Sequence, residues 1–448
     1  MSNKNIAIFT NFFGYDESYS LIRVAEDQIK MLVRHGYKPT VIVSETFEPE
    51  GAFAHPDVIL KKVPNVPCHN QVKNDETFDK DVDDIASALR EHLKDIDVVL
   101  TQDIVYKPSE LKYNFAARRI AGEFPKLTWL HWINSATPPI TLNSLMGVFT
   151  DQYLDLMRKP FPNSLYVFFN DISKGIIAKN FNVTDDKVQI VHHPSDLDEV
   201  YGVKNTLLKK FIQKRDIYSA DAICVYPARL DRGKQVHFAI KTMAKIKELG
   251  MSVRMIVVDF HSAGGDKVTY RDEMKSMGID WGLSPQELSF TSQFHPDWEQ
   301  GIPHDDVLAL FRMSNTFVMP SVSESYSYIT QEAGLTGNVI VLNQDFPPFR
   351  DIFGKNAIFR KYSSNWDVLA GFDEAMGEGK HSSTLYGPAG ISPEEREHYE
   401  GIYHKITAGA IVHRLRNDIA QAMQIRLRKE RGLDYIFKTE LEHLFFIN

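Results

Sequence analysis

The sequence predicts an α/β protein in which a doubly wound parallel sheet is built twice, once in each half of the chain. Three observations carry that expectation. Short apolar runs alternate with longer amphipathic ones from residue 6 to residue 192, and the rhythm restarts at residue 222 after an irregular stretch. The chain of 448 residues also exceeds what one hydrophobic core comfortably organises, so two domains are expected.

In the first half, strands are expected at Ile6–Asn11, Thr40–Ser44, Asp97–Thr101, Leu127–Ile133, Leu165–Asn170 and Val188–His192. Each is a short apolar run of strand length. Between the first two, Tyr19–His35 places Leu21, Val24, Ala25, Ile29, Leu32 and Val33 at helical spacing and stops at Gly36, the residue best suited to the left-handed turn that ends a helix. Asp81–Leu93 and Lys112–Phe124 repeat the helical period. Strands separated by helices of this length imply parallel pairing, because a parallel pair needs a long crossover.

In the second half, strands are expected at Ala222–Pro227, Val253–Val258, Leu288–Gln293, Thr316–Met319 and Val339–Leu342, with a helix at Val236–Leu249 closed by Gly250. Pro194–Ala220 interrupts the alternation and reads as the connection. A last helical pattern runs over Ile411–Arg431 and on to Leu444. The expected domains are residues 1–200 together with about 411–448, and residues 201–410.

Composition narrows the function. Hydrophobic content of 43% and charged content of 25% are those of a soluble globular protein. Lys and Arg number 51 against 59 Asp and Glu, a net charge of −8, so no overall nucleic-acid footprint is present. Cys68 and Cys224 are the two cysteines and have no paired spacing, which excludes a disulfide scaffold or zinc module and suits a reducing compartment. The N-terminus passes directly into a strand pattern without a signal-peptide layout, and no apolar run approaches the roughly 18–20 residues that span a bilayer. A cytoplasmic protein without integral membrane association is expected.

The chemistry concentrates in two stretches of the second half. Ser321 to Glu332 places Glu324 and Glu332 eight residues apart where a buried strand, stopped by Pro320, gives way to a helix with Ser327 as a plausible N-cap. In an open α/β sheet the ligand crevice lies at the carboxyl ends of the strands, and a helix N-terminus there offers amides and partial positive charge to an anion. Two carboxylates flanking such a turn suit sugar hydroxyls while the intervening amides face a phosphate. The second stretch, Tyr226 to Lys234, sets Arg229 and Lys234 five residues apart on the exit loop of the preceding strand, where they can converge on one diphosphate. Taken alone, such a loop is equally a solvated surface.

Ala228-Arg229-Leu230 followed by Lys234, then a strand ending Pro320-Ser321, then Glu-x7-Glu, resembles the retaining glycosyltransferases of the glycogen-synthase and sucrose-synthase type, glycosyltransferase family 4. The resemblance covers most of Asp221–Phe359. It implies the GT-B fold: two Rossmann-like domains facing across a cleft, the first binding the acceptor and the second a nucleoside-diphosphate sugar, with a C-terminal helix crossing back to the first. It further implies that Arg229 and Lys234 contact the donor phosphates, that Glu332 bonds the ribose hydroxyls, and that Glu324 approaches the sugar near its reacting carbon. Ser325, Tyr326, Ser327 and Tyr328 would contact sugar and phosphate through backbone amides. In the first half His131 matches a strand-end histidine near the donor sugar, Asp103 an acceptor contact, and Gly14 the one glycine of the turn after the first strand. No metal and no cofactor are implied beyond the donor itself, with a UDP-sugar as first choice.

Serines at 325 and 327 stand where the family has glycines, and Asp345-Phe346 replaces its Gly-Gly, so the chain reads as an outlying member. The expected reaction is metal-independent hexosyl or pentosyl transfer with retention. The acceptor is a glycan or small molecule, or a hydroxymethylated base in DNA. That last option rests on two basic strips, one of Lys204, Lys209, Lys210, Lys214 and Arg215, the other of Arg414, Arg416, Arg426, Arg428, Lys429 and Arg431. A non-catalytic nucleotide- or glycan-binding protein and another enzyme of the same fold, such as an epimerase, are the competing readings.

Overall fold

A computed structural model of the chain describes residues 4–66, 76–105, 107–137, 156, 158–260, 267–321, 327–344, 346–362 and 393–447. Contacts divide it into two units, Met1–Asp196 with Arg431–Asn448, and Leu197–Glu430.

The first unit carries strands β1 (Ile6–Phe9), β2 (Thr40–Ser44), β3 (Ile59–Val63), β4 (Val98–Gln102), β5 (Thr128–Trp132), β6 (Ser164–Phe168) and β7 (Val188–Ile190). Their order is β3-β2-β1-β4-β5-β6-β7, and every pairing is parallel. Helices α1 (Ser20–Arg34), α2 (Phe78–Leu93), α3 (Leu111–Glu123) and α4 (Lys174–Asn180) make the crossovers. The apolar strands are buried on both faces, as a covered parallel sheet requires. Alternate residues divide between two cores: Ala7, Phe9 and Val99 join α2 and α3, while Ile6, Ile8, Val98 and Leu100 join α1. Strand β3 escapes the sequence reading because Ile59 and Lys61 are exposed and two lysines interrupt its apolar pattern, the mark of a protected edge.

The second unit repeats the plan with β8 (Ala222–Arg229), β9 (Val253–Phe260), β10 (Leu288–Phe290), β11 (Thr316–Met319), β12 (Val339–Asn343) and β13 (Ile358–Arg360). The order is β10-β9-β8-β11-β12-β13, again parallel throughout. Around it lie α5 (Thr206–Arg215), α6 (Val236–Glu248), α7 (Lys267–Asp280), α8 (His304–Met313), α9 (Tyr328–Leu335), α10 (Pro347–Phe353), α11 (Pro393–Asn417) and α12 (Ile419–Glu430). In each unit the first strand lies between the second and the fourth, so the chain reverses direction of build at β1/β4 and at β8/β11. Those are the switch points at which α/β sheets take ligands.

The expected last helix is divided. Asp418 interrupts it by accepting the amide of Gln421 at 3.1 Å, the bond of a new N-cap, so α11 and α12 are separate. Both belong to the second unit. Buried Arg428 fixes α12 by donating to the carbonyls of Met313 (2.9 Å) and Ala220 (2.6 Å). From Arg431 onward the chain returns to the first unit, where Leu433, Ile436, Phe437, Leu441, Leu444 and Phe445 join the α1 core. His35 stacks on Phe437 with ring centroids 4.1 Å apart. The amide of His192 donates to the Glu440 carboxylate at 2.8 Å, which gives the His192–His193 pair a structural role.

Candidate functional site

At the switch point of the second sheet, β8 ends on Arg229 and a wound turn leads into α6. The amide of Asp231 donates to Arg229 O at 2.9 Å, that of Lys234 to Asp231 O at 3.1 Å, and the Tyr226 hydroxyl donates to Lys234 O at 2.9 Å. Gln235, buried and left-handed at φ 46°, makes the corner before α6. A non-glycine residue at such a φ is uncommon and persists where its surroundings over-determine it. The turn is therefore rigid while its cation is not buried: the Arg229 side chain is 54% exposed, with Asp231 at 3.8 Å as an ion-pair partner.

The neighbouring β11 exit is held from below. Asn343, at the end of β12, donates to Ser321 O at 3.1 Å. Glu324, Ser325 and Tyr326 lie outside the described residues. Ser327 occupies the N-cap position of α9 in extended conformation, but its hydroxyl does not accept from the helix. It is buried and points to Met319 Sδ at 3.8 Å. The expected serine cap is thus replaced by an inward-facing hydroxyl. The helix start is left without the N-cap side-chain acceptor, which suits an external anion. Tyr328 opens α9 with 75% exposure. Glu332 lies further along and accepts from or pairs with His304 Nε2 at 3.0 Å, a partner on α8 that the sequence pattern did not single out.

The corresponding edge of the first sheet is different. Asp103, left-handed at φ 54°, is buried and accepts from the Asn134 amide at 3.0 Å and its side chain at 3.3 Å, with Lys107 Nζ at 3.5 Å. Burial raises its carboxyl above the usual range, against the pull of these donors. Lys107 also donates to the Tyr19 hydroxyl at 2.9 Å. Beside them Glu110, missed in the sequence, is buried; burial pushes its carboxyl up to about 7, with Ser109, Lys107 and Asn11 pulling the other way. Its Oε2 has no hydrogen-bond partner among the described residues. Gly14 leaves open space, since a Cβ there would meet nothing within 4 Å.

His131 stands at the penultimate position of β5 and is fully buried. Its Nδ1 meets the Thr101 hydroxyl at 2.8 Å, and Phe161 and Tyr166 close over the ring at 4.4 and 5.7 Å. Burial, then Arg118, holds it well below the usual histidine range, so it is neutral at pH 7. The strand-end histidine of the sequence pattern is thus buried among aromatic rings. The expected basic strip of the final helix is also broken up: Arg428 is buried, Arg426 pairs with Glu430 at 3.3 Å, and Arg416 donates to Leu249 O at 3.2 Å.

Among the described residues no cluster of three His, Cys, Asp or Glu is placed to hold a metal ion, and no helix is long and apolar enough to cross a membrane.

Residues 209–371 match the family model described as "Glycosyl transferases group 1". The matched residues lie within the second unit. They include Arg229, Lys234 and Glu332 together with the start of α9, where the Ser327 side chain makes no cap bond. No curated protein sequence matches the chain. Among solved structures, a sucrose-phosphate synthase from Thermosynechococcus elongatus is 12% identical, with 94% of this chain and 100% of that one covered and a TM-score of 0.31. Anabaena HepE in complex with UDP-glucose is 12% identical over 99% and 100% of the two chains, with a TM-score of 0.32. A glycosyltransferase from Rickettsia africae is 14% identical over 98% and 100%, with a TM-score of 0.29. Such distant likeness assigns no residue and no substrate.

Proposed function

We propose that the chain transfers a glycosyl group from a nucleoside-diphosphate sugar to an acceptor hydroxyl, with retention and without a metal ion. The observation that carries this reading is the β8/β11 switch point. An exposed Arg229, the turn bearing Lys234, and a helix start whose N-cap side chain faces away all meet one anion-seeking edge, inside the family-matched residues. A departing diphosphate gains negative charge in the transition state, and preorganised donors aimed at it lower the barrier. Arg229 and Lys234 fill the place that a divalent ion takes in other transferases. Glu332, oriented by His304, takes the ribose hydroxyls, and residues 324–328 take the sugar. Retention follows if the acceptor attacks on the face the diphosphate leaves, with no carboxylate nucleophile required.

The acceptor meets the first unit at the carboxyl ends of β1 and β4, where Gly14 leaves room and Asp103 shapes the loop. His131 is assigned to the core of that sheet. A glycan or small molecule is favoured over modified DNA because the last helix spends its arginines on internal bonds.

The test is a thermal-shift screen against UDP-, GDP-, ADP- and CMP-sugars, followed by a transfer assay with the stabilising donor in excess chelator. One donor should raise the melting temperature saturably, since a ligand at a hundredfold its Kd adds ~2.7 kcal/mol to stability. Transfer should persist in chelator. No stabilisation by any sugar nucleotide sinks the assignment, and loss of turnover in chelator sinks its metal independence.

A further inference from the structure

Helix α6 connects two features. Its first residue, Val236, follows the phosphate-facing turn; its far end borders a cavity of about 490 Å³ that the proposed transfer chemistry does not use. From Val236 to Lys245 the helix rises ~14 Å, so the two are separate places. Three elements of the second unit form the cavity: the end of α6, the tip of α7, and one side of α11.

Its wall is an indole. Trp281 follows α7 directly, its amide donating to Met277 O at 3.0 Å, and Gly282 turns the chain away at φ +86°. Lys241 Nζ lies over the indole, 5.1 Å from its centroid, and is held there by Glu400 at 3.0 Å, so the rest of the ring is what a ligand can meet. Ile402, 44% exposed, adds a second apolar contact, and at Gly401 a Cβ would meet nothing within 4 Å, so the floor is open. Lys241, Lys245 and Lys405 stand against Glu248, Glu394 and Glu397 around the cavity, with His398 among them, and Lys245 pairs with Glu248 at 2.6 Å.

That balance selects the ligand. An anion would meet three carboxylates and a cation three ammonium groups. A neutral ring with several hydroxyls can donate to the one set and accept from the other, each at hydrogen-bond strength. Its apolar C–H face has an indole and an isoleucine to lie against. A concave pocket with mixed apolar wall and convergent polar groups is the usual form of a small-molecule site. We propose that this cavity is a second carbohydrate-binding site, which holds a sugar residue of an oligosaccharide away from the place of transfer.

Calorimetric titration of the intact chain with maltotetraose and with chitotetraose tests the site. At least one should bind saturably. Trp281→Ala should weaken that binding at least tenfold, and Ile402→Asp and Lys405→Ala, both on the exposed rim, should each weaken it severalfold without altering the melting temperature. Arg229→Ala should leave it unchanged, and the Trp281 and Ile402 variants should keep the donor-induced thermal shift, so failure here and failure of the transfer reading are distinguishable. Absence of saturable binding by both saccharides overturns the site. So does binding that survives Ile402→Asp, or a cavity that binds inorganic phosphate but neither saccharide.

Discussion

The two units share a strand order and differ in what they place at its turning point. At β8/β11 the cation is on the outside: Arg229 is half exposed, its turn is fastened by backbone bonds, and the serine at the helix start faces inward. At β1/β4 the charges are inside: Asp103 and Glu110 are buried, and Asp103 accepts from the Asn134 amide in the segment after β5. The same topology thus yields one edge that leaves a cation exposed and one edge that buries its carboxyls. Position at a switch point is therefore insufficient to assign a role; the partners each side chain already has decide it.

If this contrast holds, substitutions at the two edges separate activity from stability. Arg229→Ala should lower kcat by ~10²–10³, the usual loss of one preorganised donor, while the denaturation midpoint stays put; a variant with full turnover would break the comparison outright. Glu110 supplies the opposite case. Its folded carboxyl titrates near 7 against 4.5 as the ordinary value, so its contribution is complete below 4.5 and is lost as pH rises through 7. Glu110→Gln should abolish a stability loss of up to ~3 kcal/mol between pH 5 and pH 8, read as the difference between wild-type and variant denaturation curves. An identical pH profile for both would show that the carboxyl ionises freely. Asp103→Ala should cost ~2 kcal/mol, because it strands the Asn134 amide and puts alanine at a positive φ, with donor affinity unchanged. Smallest is Ser327→Ala. A true cap would cost ~1 kcal/mol, whereas a hydroxyl facing a thioether should cost under ~0.5 kcal/mol, measurable by chemical denaturation.

Much of this was legible in the sequence because periodicity reports burial. Ile6 to Phe9, Val98 to Gln102 and Thr316 to Met319 are largely apolar and buried on both faces, and Tyr19 to Gly36 carries both the helical stripe and its stop. What escaped has a physical cause in each case. Strand β3 hides its pattern under edge lysines, and β13 is three half-buried residues long. Arg229 and Lys234 were readable as a spaced pair on a strand exit. His131 was readable only as a strand-end histidine; that it looks inward past Thr101 depends on Phe161 and Tyr166, 30 and 35 residues away in the chain. Glu110 gave no signal at all, since a carboxyl before a helix is ordinarily exposed, and its burial arises from tertiary packing. His304 likewise meets Glu332 only through the packing of α8 beside α9.

The return of Leu433 to Phe445 into the α1 core bears on how the molecule is made. The lobe synthesised first lacks part of its interior until residue 445 has left the ribosome, whereas the lobe between residues 197 and 430 has all of its own chain in hand before then. The first unit therefore depends on residues 431–448 for part of its core, and the second does not. A released chain truncated after residue 430 should present a protease-resistant second unit and a first unit open to attack.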